Sequence, residues 1–186
     1  MTGQRIATTT RILTTAADLF SGHAYAEVSV DYIAQQAGIT KMTLYQHFRS
    51  KDELALECLR MRLNKREEML DRVLSELDPK SDPLLALFDW LEEWLDPRHF
   101  KGCSFVKAVN ELAGVLPAVQ EIALDAKQKI RQRFTTLAQR SGREHPKQLG
   151  QELALLFEGA QSLALIERSA RPAQTAKRVA CLLLQA

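Results

Sequence analysis

The chain has 186 residues, 46% hydrophobic and 26% charged, with a formal net charge of +2. That is enough apolar material for a real core, and too near neutrality for a protein that grips polyanions through diffuse positive charge alone. No run of about 18 apolar residues is present to span a bilayer, and the opening MTGQRIATTT lacks the apolar stretch of a secretory signal.

The helical period predicts an all-α chain of about nine helices. Helix one is expected over about Thr10–Ser21, with Ile12, Leu13, Ala16, Ala17, Leu19 and Phe20 on one face. Ser29 then precedes the periodic run Val30, Ile33, Ala34 and Ala37, where a hydroxyl accepts a bond from an orphan backbone N–H. Gly38 closes that helix at a place that needs positive φ, and Thr40 starts another only two residues on. Ser50-Lys51-Asp52-Glu53 has the capping-box pattern and starts a fourth. Two short helices joined by a tight glycine turn make a helix-turn-helix, whose second helix is shaped to enter a DNA major groove. On that helix Leu44 and Phe48 share an inward face with Ile39, leaving Met42, Thr43, Tyr45 and Gln46 outward and Lys41 and His47 on the flanks. Ile39–Lys51 holds three basic residues and no acid, a local basic patch that supplies what the total charge lacks.

The spacing Thr9-x-x-Ile12-Leu13-x-x-Ala16-x-x-Leu19-Phe20, then Tyr25, Ser29-Val30-x-x-Ile33-Ala34-x-x-Ala37-Gly38-Ile39-Thr40 and Thr43-Leu44-Tyr45-x-His47-Phe48-x-Ser50-Lys51-x-x-Leu54, resembles the N-terminal domain of TetR-type transcriptional regulators over about the first third of the chain. The resemblance implies a homodimeric, ligand-responsive repressor that binds double-stranded DNA at a palindromic operator. Lys41, Met42, Thr43 and His47 are then expected at or near bases, with Gln46 on the same exposed face. Ser29, Thr40, Tyr45 and Lys51 are expected at phosphates, the last two placed by the resemblance. Two positions depart from the family. Ala24 stands where glycine usually precedes the aromatic, with Gly22 two places earlier, and Met42 stands where a small residue is common. Alanine tolerates positive φ poorly, so the first loop is expected to take another path. A thioether at 42 could touch a thymine methyl.

A long helix over about Lys51–Leu77 follows, whose charged middle RMRLNKREEML reads as a solvated face. Asp78-Pro79-Lys80-Ser81-Asp82-Pro83 breaks the chain. The domains are set as 1–50, a DNA-binding head, and 51–186, a helical effector-binding and dimerisation region. Later helices are expected at about Pro83–Leu95, Cys103–Val115, Ala118–Gln139, Pro146–Ser169 and Pro172–Gln185, several starting at or near a proline. The last two carry more apolar positions than one stripe can bury, so Leu153, Leu156, Phe157, Ala160, Leu163, Ala164, Val179 and Leu183 are assigned to a dimer interface, as in the family's four-helix bundle. A small-molecule effector site is assigned to Phe88, Trp90, Trp94, Cys103, Phe105, Asn110, Glu111 and Phe134, against the plainer reading of the aromatics as core.

Cys58, Cys103 and Cys181 are odd in number and dispersed, which points to reduced thiols in the cytoplasm rather than a disulfide framework. No zinc-type spacing, phosphate loop or nucleophile motif is present, so neither a metal, a cofactor nor an enzymatic activity is expected. The alternative function is a thiol-based redox-sensing regulator using Cys103, beside Lys101 and Lys107 in sequence, against the plainer reading of a buried inert thiol.

Overall fold

The computed structural model describes residues 2–185, and among them every regular element is helical. In order these are α1 (Thr2–Gly22), a short 3₁₀ turn (Tyr25–Glu27), α2 (Val30–Gln36), α3 (Lys41–His47), α4 (Lys51–Ser75), α5 (Pro83–Trp94), α6 (Ser104–Leu112), α7 (Ala118–Arg140), α8 (Pro146–Glu167) and α9 (Arg171–Leu183). The largest difference from the sequence reading is that α1 starts at Thr2 rather than near Thr10. Thr10, where the sequence reading starts the helix, lies well within it, as do Thr8 and Thr9. Thr8, Thr9 and Thr10 hydroxyls donate back to the carbonyls of Gln4, Arg5 and Ile6 at 3.0, 3.0 and 3.1 Å, which satisfies them without breaking the helix.

The chain packs as two compact units, Met1–Lys65 with Ser104–Ala123, and Arg66–Cys103 with Leu124–Ala186. The boundary set at residue 50 differs from this packing, which puts the start of α4 and all of α6 with the head. The first unit is built on Ile12, Ala16, Ala17, Val28, Ile33, Ala34, Leu44, Phe48, Leu54 and Cys58, each buried. Its loop between α1 and α2 is held by α6: Lys107 Nζ donates to the His23 carbonyl at 2.6 Å, and the Tyr25 N–H donates to the Glu111 carboxylate at 2.8 Å.

In the second unit α9 packs on both α5 and α8. Phe88, Phe134 and Phe157 form a buried triad with ring centroids 5.5 to 6.1 Å apart, and Trp90 stacks on both Trp94 (5.5 Å) and Phe157 (6.3 Å). Asp82 caps α5 by accepting the Leu84 N–H at 2.8 Å, with Pro83 in the first turn. The other Asp82 oxygen accepts Arg143 Nη2 at 2.7 Å, while Arg143 Nη1 donates to the Leu184 carbonyl, tying the chain's last helix to the start of α5. Gly150 lets α8 cross α7 closely: a Cβ there would stand 2.7 Å from the Thr135 backbone nitrogen.

Candidate nucleic-acid interface

The head's geometry comes from three local caps. Ser29 Oγ accepts the Tyr32 N–H at 3.0 Å, Thr40 Oγ1 the Thr43 N–H at 3.1 Å, and Ser50 Oγ the Glu53 N–H at 3.0 Å. Gly38 takes φ +64 between the first two helices, as the turn required. At Ser50 the reciprocal half of the box is displaced by one residue, since the Glu53 carboxylate accepts the Arg49 N–H at 2.5 Å. The loop before α2 needs no glycine: Ala24 sits at φ −64, and Glu27 reaches back to its N–H at 3.2 Å. The departure at position 24 is thus absorbed by a 3₁₀ turn in which ordinary backbone angles suffice.

α3 buries Leu44 completely and is followed by buried Phe48, and its remaining side chains are exposed or half-buried. Met42 is 72% exposed, and Lys41, Tyr45 and Gln46 are exposed around it, with Thr43 and His47 half-buried. A methionine that open has no packing role in this chain. The residues named for bases therefore share one short helix. Ser29 uses an oxygen lone pair for capping, which leaves its hydroxyl proton to donate outward, whereas Thr40 Oγ1 also shares a 2.8 Å hydrogen bond with Thr43 Oγ1.

Two features of this face were not visible in the sequence. Lys41 Nζ donates to Asp31 Oδ2 at 2.9 Å, so an acid from α2 enters a patch that is acid-free in sequence, and the hydrogen bond to Asp31 raises the Lys41 ammonium above the ordinary lysine value. Both partners are solvated, so a phosphate can displace the carboxylate at small cost. His47 Nδ1 lies 2.8 Å from Thr9 Oγ1 on α1. Neither partner had a signal, because each lies far from α3 in the chain.

Lys51 is more constrained than a free phosphate ligand. Its Nζ donates to the Tyr25 carbonyl at 2.5 Å and sits 3.9 Å from the centre of the Tyr25 ring, and burial pulls it below the ordinary lysine value against the opposing charge of Asp52. The Tyr25 hydroxyl in turn donates to Asp52, and burial together with that carboxylate pushes the phenol up. Lys51 thus clamps the loop before α2 at the root of α4.

The eight residues assigned to an effector divide between the two units. Phe88, Trp90 and Phe134 are buried in the second unit's core, where each packs against Phe157, and Trp94 lies half-buried at its edge. Phe105, Asn110 and Glu111 belong to the first unit, with Phe105 buried, Asn110 exposed and Glu111 committed to the Tyr25 N–H. A small cavity of about 40 Å³ in that unit is walled by Phe20, Tyr25, Cys58, Arg62, Lys107 and Glu111, so of the assigned set only Glu111 lines it. Cys103 is half-buried with Lys127 Nζ 3.3 Å from its sulfur, and Lys127 is also paired with Glu158. Cys58 is different: burial pushes its thiol up to about 12, which keeps it protonated and inert.

The dimer assignment needs correction in its details. Leu153, Phe157, Ala160 and Ala164 are buried in their own subunit's core, and Leu156, Val179 and Leu183 are partly buried. Of the eight, Leu163 alone is exposed. The opposite face of α8 carries exposed Leu155 (75%), Gly159, Ser162 and Ile166 (77%), and α9 adds exposed Leu182. The sequence reading took the apolar surplus correctly but could not tell which face turns inward.

Residues 12–58 match the model of the family described as bacterial regulatory proteins, tetR family. MftR of Mycobacterium tuberculosis, assigned as a transcriptional regulator of mycofactocin biosynthesis, is 31% identical over 113 residues, covering 59% of this chain. The chain matches 57% of that relative's length. A TetR transcriptional regulator from Chloroflexus aurantiacus superposes with TM-score 0.82 at 23% identity, over 98% of this chain and 96% of that one. NemR of E. coli in its reduced form gives TM-score 0.78 at 21% identity, over 93% and 95%. At such identities the likeness is one of fold. No helix among the described residues is long and apolar enough to cross a membrane.

Proposed function

We propose, for a chain that belongs to the TetR family of DNA-binding transcriptional regulators, that it acts in the cytoplasm as a homodimeric repressor of a palindromic operator and is released by a small-molecule effector. The observation that carries the reading is α3 itself, a seven-residue helix that buries Leu44 and presents Lys41, Met42, Tyr45 and Gln46 to solvent on a capped, rigid turn. A two-fold pair of such helices about one duplex turn apart reads a palindrome. The exposed stripe Leu155, Gly159, Ser162, Leu163 and Ile166 supports the pairing, because a contiguous apolar face with small residues suits close helix approach. Selection of bound duplexes from a random pool tests it. Recovery of a palindrome is the expected result, and enrichment of no symmetric site would sink the repressor-dimer reading.

Lys51→Ala is expected to weaken binding to every duplex alike and flatten the dependence of log K on log salt by about one unit. Because Lys51 also clamps Tyr25, Lys51→Arg serves as the control that keeps a charge at the loop. Unchanged affinity and slope in the alanine variant would exclude a phosphate role. Effector action on the second unit is read by tryptophan fluorescence, since half-buried Trp94 reports on its surroundings and stacks on Trp90.

One observation favours a second reading, in which Cys103 senses oxidants: the residue is only half-buried, and Lys127 Nζ stands 3.3 Å from its sulfur, a contact that oxidation would alter. Cys103→Ser abolishes the response of a thiol sensor and spares that of a ligand sensor.

A further inference from the structure

Three threonine hydroxyls of α1 fold back onto carbonyls one turn earlier, but only Thr9 has a second contact, to the recognition helix. Its Oγ1 lies 3.0 Å from the Arg5 carbonyl oxygen and 2.8 Å from His47 Nδ1. A hydroxyl has one proton to give and lone pairs to receive, while a carbonyl oxygen can only accept. If the hydroxyl proton went to Nδ1, two acceptor oxygens would face each other at the Arg5 contact with no proton between them. Both contacts are hydrogen bonds only when Thr9 donates to Arg5 and His47 Nδ1–H donates to Thr9.

A neutral imidazole has a single ring proton, and the bond made by one nitrogen fixes the role of the other. With the proton on Nδ1, Nε2 keeps its lone pair. We infer that Thr9 is a specificity-determining positioning residue: through the chain Arg5 carbonyl, Thr9 hydroxyl, His47 Nδ1–H, it makes Nε2 of neutral His47 an acceptor on the DNA-reading face. A phosphate oxygen has no proton to offer such a nitrogen. The exocyclic amino groups of adenine and cytosine in the major groove do, so the ligand chemistry is a base-edge amino donor. The inference rests on the DNA-reading function proposed above and assigns its chemistry at one position.

The test has two independent arms, both on the full chain. In the free protein, long-range proton–nitrogen correlation of ¹⁵N-histidine label at a pH where His47 is neutral is expected to show a protonated Nδ1 and an unprotonated Nε2. Thr9→Val, which keeps the shape and removes the hydroxyl, is expected to shift the ring towards the Nε2–H form that free imidazole prefers, and Thr9→Ser to hold the wild-type pattern. In the second arm the selected duplex is compared with variants that replace each amino-bearing base in turn. Thr9→Val is expected to lose about tenfold in affinity for the selected duplex and to stop discriminating at one base, with Thr9→Ser restoring both. An Nε2–H ring in the wild type, or unchanged base preference in Thr9→Val, overturns the inference. If the wild type selects no duplex, the DNA-reading function falls and the specificity role with it, and the free-protein spectrum still tells that failure from a wrong tautomer.

Discussion

Leu155→Asp is expected to convert dimers into monomers with each chain still folded, and to lower affinity for a full palindrome by two orders of magnitude or more, on the order expected when two linked half-site contacts become one. Leu155 is 75% exposed on the free face of α8, so the subunit itself loses nothing by carrying a carboxylate there. Across a two-fold interface the same face meets its own copy, and burying an unpaired charge there is strongly unfavourable. Ile166→Asp, on the same stripe, should behave alike. Sedimentation at micromolar concentration reads the first effect and operator titration the second. A variant that stayed dimeric would place the interface on some other surface.

Phe157→Ala should have the opposite signature. The ring is buried against Phe88, Phe134 and Trp90, and its removal leaves a cavity that three aromatic neighbours cannot collapse to fill. A cost of about 4 kcal/mol is expected, read as a fall in Tm of roughly 10 °C. Dimerisation of the fraction that remains folded should be untouched, because no part of the side chain reaches the surface. A dissociation constant that rose while Tm held would return Phe157 to the interface where the sequence had placed it. The two substitutions sit two residues apart on one helix, and they separate a core role from a partner role by which observable moves.

That contrast also marks how far the sequence could be read. α8 is apolar nearly all the way round, so periodicity predicts a helix and a surplus of burial but carries no marker of which side meets α9 and α5. Four of the eight residues assigned to the interface therefore went to the core, while Leu155 and Ile166, which were not assigned to it, are exposed. The effector assignment mixes residues of both units for a related reason. Phe88, Trp90 and Phe134 look like a cavity lining when listed by type, but their rings pack on each other at 5.5 to 6.3 Å together with Phe157.

The head was far more legible, because its devices act over a few residues. Ser29, Thr40 and Ser50 each cap a turn begun by the next residue, and Gly38 supplies a positive φ that depends on its own missing Cβ. Such features are set by local backbone chemistry, so the sequence alone determined the helix-turn-helix, its exposed Lys41, Met42, Tyr45 and Gln46, and the match to the tetR family model over residues 12–58. Tertiary structure alone decided what reaches those residues from afar: Asp31 against Lys41, Tyr25 beneath Lys51, and Thr9 against His47. Capping is a property of neighbours along the chain, whereas the partner of a charge, the tautomer of a ring and the inward face of a helix are fixed only when distant segments pack.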